Sequence, residues 1–189
     1  PRMGGQLRFI AGQADKVQGV SLPTYSPESL GFTLREPFGV VGVIIPWNAP
    51  GPQFVMEVGA AIAAGNTVVL KPAEWSPLSA SLLADLADEA GLPAGVLNVV
   101  QGIGEEVGAA LVADPRVRRI SFTGSPEAAR HIGVAAARNI VPFTAELGGK
   151  GPLIVFDDAD LEAAAAKAAG QYDDSGQVCL AGTRLLVQE

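Results

Sequence analysis

From residue 38 onward the chain repeats one pattern: a β-branched apolar run, a tight turn, then a stretch with helical spacing. "FGVVGVII" (38–45), "NTVVLKP" (66–72), "GVLNVVQG" (95–102) and "RRISFTG" (118–124) read as buried strands. Between and after them, "GPQFVMEVGAAIAAG" (51–65), "EEVGAALVAD" (105–114) and "SPEAARHIGVAAAR" (125–138) read as helices. A further helix is predicted from an Ser76 N-cap and Pro77 at its first turn to a stop at Gly91, with Leu78, Leu82, Leu83 and Leu86 along one face. "VPFTAEL" and "GPLIVFD" continue as strands, and the Ala-rich "DLEAAAAKAAG" (160–170) as a helix capped by Asp160. A helix between two strands carries the chain back to the starting edge, so such strands lie parallel. The fold class is therefore α/β, a parallel sheet with helices on both faces. The first 37 residues differ, with a helix end to about Val17 and then extended "SLGFTLREP".

Ligands of open parallel sheets bind beyond the carboxyl ends of the strands. That rule selects Pro46-Trp47-Asn48, Lys71-Pro72-Ala73-Glu74, Gly102-Ile103-Gly104, Phe122-Thr123-Gly124-Ser125 and Glu146-Leu147-Gly148-Gly149. Each position has an ordinary reading beside a chemical one. Gly102, Gly104 and Gly108 approach a dinucleotide fingerprint, but the last glycine is one residue late and no acid follows at ribose distance; a plain turn explains them equally. Gly124 permits a close backbone approach, and the helix start at Ser125 is able to face a phosphate or simply to be a Ser-capped terminus. Lys71 and Glu74 either hold ribose hydroxyls or sit solvated on a loop. Asn48, stiffened between prolines, offers an amide to a developing oxyanion or makes a turn. Glu146, among apolar residues and glycines, suits a general base or an ion pair with Lys150.

Charge and composition exclude several partners. Net charge is −7, with 13 basic residues scattered along the chain, which argues against nucleic acid. No uncharged apolar run reaches the roughly 18 residues of a membrane span. The one histidine, His131, falls mid-helix, and with a single cysteine no zinc site of His and Cys is expected. Asp157, Asp158 and Asp160 read as a strand exit and a helix cap, so no metal is expected. A lone cysteine forms no intrachain disulfide, which fits a cytoplasmic location. That cysteine, Cys179 in "DDSGQVCLAGTR", lies in a glycine-bearing loop, and as a nucleophile it needs a base. Glu146, acting directly or through a water, is a better candidate than His131.

Together, "EPFGVVGVIIPWNAP", "AAGNTVVLKPAEWSP", "GLPAGVLNVVQGIGEEVG", "ISFTGS", "ELGGKGPLIVFDDADLEAA" and "GQVCLAGTRLLV" resemble the aldehyde dehydrogenase superfamily, over nearly all of residues 19–189. "ELGGK" followed about thirty residues later by "GQ-x-C" is the most specific element. The resemblance implies a Rossmann-like fold, incomplete at both ends. Residues 1–18 would be the end of an N-terminal helix and 19–37 an extended bridge. Residues 38–148 would form the NAD(P)-binding domain, and 149–189 the start of the catalytic domain with the nucleophile. It implies Cys179 as nucleophile, Glu146 as general base and Asn48 as oxyanion donor. For the cofactor, NAD with NADP as the alternative, it implies Lys71, Ala73 and Glu74 near the adenosine ribose and Gly104 by the adenine. Phe122, Thr123, Gly124, Ser125 and Ala128 fall at the pyrophosphate-side turn, and Ile45, Pro46, Trp47, Leu147 and Gly148 toward the nicotinamide.

The chemistry so implied is oxidation of an aldehyde to an acid through a thiohemiacetal and a thioester, in a homodimer or homotetramer. "KPAEWSP" and the stretch around "QGIGEEVG" lean toward members that oxidise semialdehydes in aromatic catabolism. Ala49 after Asn48 and Gly151 after "GGK" depart from the family's commoner residues. Two alternatives stand beside this reading: an inactive dinucleotide-binding fragment, and a CoA-acylating member, against which Glu146 argues. The absence of Met at position 1, together with the family's usual length, leads to the expectation of a piece of a longer protein, inactive when isolated.

Overall fold

The central strand is β3 (Val40–Ile44), whose residues are almost all buried because helices cover both its faces. It pairs in parallel with β4 (Thr67–Lys71) on one side and β6 (Val117–Gly124) on the other. Beyond them lie β5 (Leu97–Val99) and β7 (Phe143–Leu147), giving five parallel strands in the order β5-β4-β3-β6-β7. The chain thus winds outward from β3 to β5 and returns to lay β6 against β3, so the order reverses between β3 and β6, where doubly wound sheets open a crevice. The computed structural model describes residues 2–188.

Strand pleat divides the core in two. Val41, Val43 and Ile45, with Val68 and Leu70, pack against Phe54, Val55, Val58 and Ala80. Ile44, Ile120 and Phe122 pack on the other face against Leu111 and Val112 of α5 (Ala109–Ala113) and Ala129, Ile132 and Ala136 of α6 (Pro126–Asn139). Helix α1 (Arg2–Ala11) lies on the first face. Side chains added at Gly51 and Gly59 would meet Met3 Sδ at 2.8 Å and Leu7 and Ile10 at 3.5–3.6 Å, so small residues there let α1 approach. Two minor sheets complete the chain: antiparallel β1 (Ser21–Leu22) with β2 (Gly31–Phe32), and parallel β8 (Pro152–Val155) with β9 (Arg184–Val187). Helix α7 (Leu161–Ala169) begins at Asp160, whose carboxylate accepts the Ala163 N–H at 3.1 Å as expected.

Four local expectations are corrected. The helix expected over 51–65 is continuous only through a wide π-turn at Phe54–Val58, between α2 (Pro50–Gln53) and α3 (Gly59–Ala63). A second π-turn, Gly104–Gly108, precedes α5. The N-terminal helix stops at Ala11 and is followed by a 3₁₀ turn, Ala14–Lys16; the Gly12 N–H makes the last α-helical bond, to Arg8, and the Gln13 N–H tightens the end with a three-residue bond to Ile10. Ser76 does not cap α4 (Leu78–Glu89). Pro77 holds helical angles itself, and its carbonyl accepts both the N–H and the hydroxyl of Ser81, so the first turn starts one residue later. Ser76 Oγ is left buried without a partner. Leu78, Leu82 and Leu86, expected along the buried face, are exposed, while Ala80 and Leu83 face the core.

Candidate active site

Beside the carboxyl ends of β3, β4 and β6, between α5 and α6, lies a cleft of about 680 Å³. Ile44, Lys71, Gly104, Gly108, Phe122, Ser125, Ala128 and His131 are among its walls. Its most unusual element is Lys71, whose side chain is only 2% exposed. The ammonium donates to the Pro72 carbonyl at 3.0 Å and to Glu74 Oε2 at 3.4 Å. Gly108 packs against the Lys71 stem, a Cβ there coming within 3.5 Å of its Cδ, an ordinary contact distance. Ser125 caps α6, its hydroxyl accepting the Ala128 N–H at 3.2 Å. The ordinary reading of that hydroxyl therefore holds, and the Ala128 N–H is spent inside the protein. A Cβ on Gly124 would fall 2.5 Å from Phe122 Cζ, so that glycine also serves the protein's own packing.

Not every residue selected from the sequence faces this cleft. Ile45 is buried in the opposite core face. Thr123, one residue from Phe122, projects through the sheet to that same side. Pro46, Trp47, Asn48 and Gly148 belong to the neighbouring strand-end loops, Leu147 is the last residue of β7, and Ala73 lies in the turn after β4. His131 is exposed along α6.

The second assembly brings three distant segments together. Asn48, after β3, donates its side-chain N–H to the carbonyl of Gln177 at 2.8 Å, across 129 positions of sequence. A Cβ on Gly149, after β7, would lie 3.9 Å from the Cys179 carbonyl oxygen, so the "ELGGK" turn abuts the cysteine loop. Cys179 is exposed. Its loop is reached through Asp174, Ser175 and Gly176, all with positive φ (54°, 57° and 70°). Gln171 fastens that loop from behind: its Oε1 accepts the Gly182 N–H at 2.7 Å, and its Nε2 donates to the Lys167 carbonyl at 2.9 Å. Glu146 stands exposed near the end of β7, and among the described residues it forms no ion pair with Lys150 or any other cation.

Sequence reasoning passed over Glu57. This carboxylate sits in the π-turn Phe54–Val58 and accepts hydrogen bonds from Ser121 Oγ at 2.6 Å and Thr123 Oγ1 at 2.8 Å. Burial raises its pKa above the ordinary carboxylate value, the two hydroxyls work in the opposite direction, and the negative charge of Glu146 adds to the rise. The available signal was that Glu57 is the one charged residue between positions 51 and 65.

The aldehyde dehydrogenase family model matches residues 1–189. Phenylacetaldehyde dehydrogenase of Pseudomonas fluorescens is 51% identical over 97% of the chain. Among solved structures, an NAD-dependent aldehyde dehydrogenase from Sinorhizobium meliloti superposes with a TM-score of 0.94 at 47% identity over 99% of the chain. An NADP-dependent enzyme of E. coli superposes with a TM-score of 0.95 at 41% identity, also over 99% of it. The chain spans 38% of the length of the first two and 39% of the third. A reversing parallel sheet with its crevice, a cysteine loop tied to the loop after β3, and likeness over the whole of its length establish that the chain belongs to the aldehyde dehydrogenase family.

Proposed function

We propose that the protein carrying this chain at the length of its relatives oxidises an aldehyde to a carboxylic acid with NAD, NADP being the alternative. The observation that carries the proposal is the Asn48 bond to Gln177, which holds an amide donor beside the Cys179 loop. Cys179, as thiolate, adds to the aldehyde carbonyl. The resulting oxyanion is held by the second N–H of the Asn48 amide and the backbone N–H of Cys179; each such donor is worth about 10²–10³ in rate. When bound, the dinucleotide supplies the hydride acceptor that turns the thiohemiacetal into a thioester. Glu146 then takes a proton from water as its oxygen attacks the thioester, and the acid leaves as the Cys179 thiolate is restored.

The cleft fits a dinucleotide. Its size lies within the range of small-molecule sites, and Lys71 places a buried positive charge in its wall. Lys71, Ala73 and Glu74 would hold the adenosine ribose, and Gly104 would lie by the adenine. Phe122, Gly124, Ser125 and Ala128 would line the path of the pyrophosphate, with Pro46, Trp47, Leu147 and Gly148 toward the nicotinamide; Thr123 and Ile45, whose side chains face the other side of the sheet, would take part only through their main chain. The Glu74 carboxylate repels a second ribose phosphate, which supports NAD. In this reading 38–148 is the cofactor domain and 149–189 opens the catalytic domain. Ile154, Leu185, Leu186 and Val187 of β8 and β9 are each more than half exposed. Those strands need further cover, so we propose that the isolated 189 residues are inactive. The substrate class extends to semialdehydes, and the reading includes a cytoplasmic homo-oligomer. Among the described residues no helix is long and apolar enough to cross a membrane.

The test is rapid-mixing kinetics on the family-length enzyme. Cys179→Ala is expected to produce no NADH from aldehyde, and Glu146→Gln a single burst without steady turnover. Steady turnover in Cys179→Ala would overturn the assignment.

A further inference from the structure

We propose that His131 is a specificity-determining residue for the cofactor: its imidazole lies against the adenine ring and closes the slot between α5 and α6 in which the base is held. The proposal rests on the reading of the cleft as the dinucleotide site.

Two helical faces make the slot. Ala128, His131, Ile132 and Ala135 line it from α6, at the i, i+3, i+4, i+7 spacing of a single helix face. Gly108, Ala109 and Val112 line the opposite wall, from the end of the second π-turn into α5. Such short side chains leave the space between the helices open and apolar. Charge decides which part of a dinucleotide enters it. Lys71, its ammonium buried and Glu74 beside it, stands at the end of β4, so the ribose and its phosphates belong at the strand ends. Glu105 and Glu127, exposed at the edge of the cleft, repel phosphate from the space between the helices. That space is left for the neutral, planar base.

Within these walls His131 is the ring free to meet a base. Phe122, the other aromatic residue of the cleft, is buried in the core cluster beneath it. His131 is exposed, and among the described residues its imidazole forms no ion pair. Arg138 also lines the cleft with a planar group, but it starts seven residues later, about 10 Å further along the helix axis. A ring laid on the base covers the face that the α5 wall leaves in water, and aromatic side chains hold bases in this way because each base presents a π-face. An aliphatic side chain at 131 would cover area without offering such a face. The histidine therefore favours ligands that carry a purine over fragments that lack one.

The experiment is displacement of NADH from the family-length enzyme, followed by its fluorescence, with ADP-ribose and nicotinamide mononucleotide as competitors. His131→Ala is expected to weaken ADP-ribose roughly five-fold or more, and His131→Phe to restore wild-type binding. Nicotinamide mononucleotide lacks the adenine, so its affinity is expected to be the same in all three proteins. Arg138→Ala is expected to bind ADP-ribose as the wild type does. Equal ADP-ribose affinity in wild type and His131→Ala overturns the proposal. So does a loss that phenylalanine does not repair, that nicotinamide mononucleotide shares, or that Arg138→Ala reproduces. Failure of the cofactor reading is a separate outcome, seen as wild-type enzyme that binds neither NADH nor ADP-ribose, and it overturns both.

Discussion

Gly124→Ala tests whether that glycine serves the protein's own packing. The added Cβ would lie 2.5 Å from Phe122 Cζ, 3.0 Å from Cε2 and 3.3 Å from Cε1. Phe122 is 5% exposed and belongs to the core cluster of Ile44, Leu111 and Ile120, and its ring can escape the added methyl only by moving toward the cleft that it lines. Overpacking of a filled core costs about 1–3 kcal/mol. For a chain of this size each kcal/mol lowers Tm by roughly 2–4 °C, giving a loss of about 2–12 °C. The assay is thermal unfolding of Gly124→Ala without cofactor, alone and combined with Phe122→Leu. Leucine lacks the ring atoms that clash, so the second substitution is expected to cancel most of the cost of the first, as a strong coupling in a double-mutant cycle. An unchanged Tm for Gly124→Ala, or full additivity with Phe122→Leu, would refute the packing argument and return the glycine to a role in ligand approach.

Lys71→Met keeps the stem and removes the ammonium. Its carboxylate partner Glu74 is 41% exposed and stays hydrated, so stability is expected within about 1 kcal/mol of wild type. Cofactor Kd, measured by calorimetry on the family-length enzyme, is expected to rise roughly ten-fold or more, the worth of a charge-assisted hydrogen bond; an unchanged Kd removes Lys71 from the site. Glu57 also gives the fold a pH dependence. Its folded-state pKa is raised above 4.5, so between the unfolded and folded values the native state binds more protons and stability falls as pH rises. Urea unfolding across that window is expected to show a shallower decline in Glu57→Gln, and parallel curves for the two proteins would contradict it.

The strands and the places where ligands gather were legible because period-two apolar runs and Gly- or Pro-marked ends are local properties. Asp160 was readable as a cap for the same reason, its side chain answering to a backbone N–H three residues away. Ser76 failed because two neighbouring signals competed: Pro77 adopted the capping position, and the Ser76 hydroxyl finds no partner. Glu57 was hidden by distance. Its meaning depends on hydroxyls 64 and 66 positions later, and on a π-turn that helical spacing does not announce. The packing role of Gly124 was hidden because sequence shows that a side chain is missing but not which neighbour would meet it. The Asn48 tie to Gln177 likewise exists only once the fold has set the loop after β3 beside the loop that leads into β9.

The pleat of β6 has a consequence for how this family can change. Phe122 faces the cleft while Thr123 faces Glu57, so the two chemistries are separated by the thickness of a single strand. A deletion of one residue within Val117–Gly124 would exchange these faces, sending the aromatic ring toward Glu57 and the hydroxyls into the cleft. Point substitutions can adjust either compartment alone. Insertions and deletions in this strand disturb both at once, so lineages diverging from this chain should vary the length of their loops and leave the length of β6 untouched.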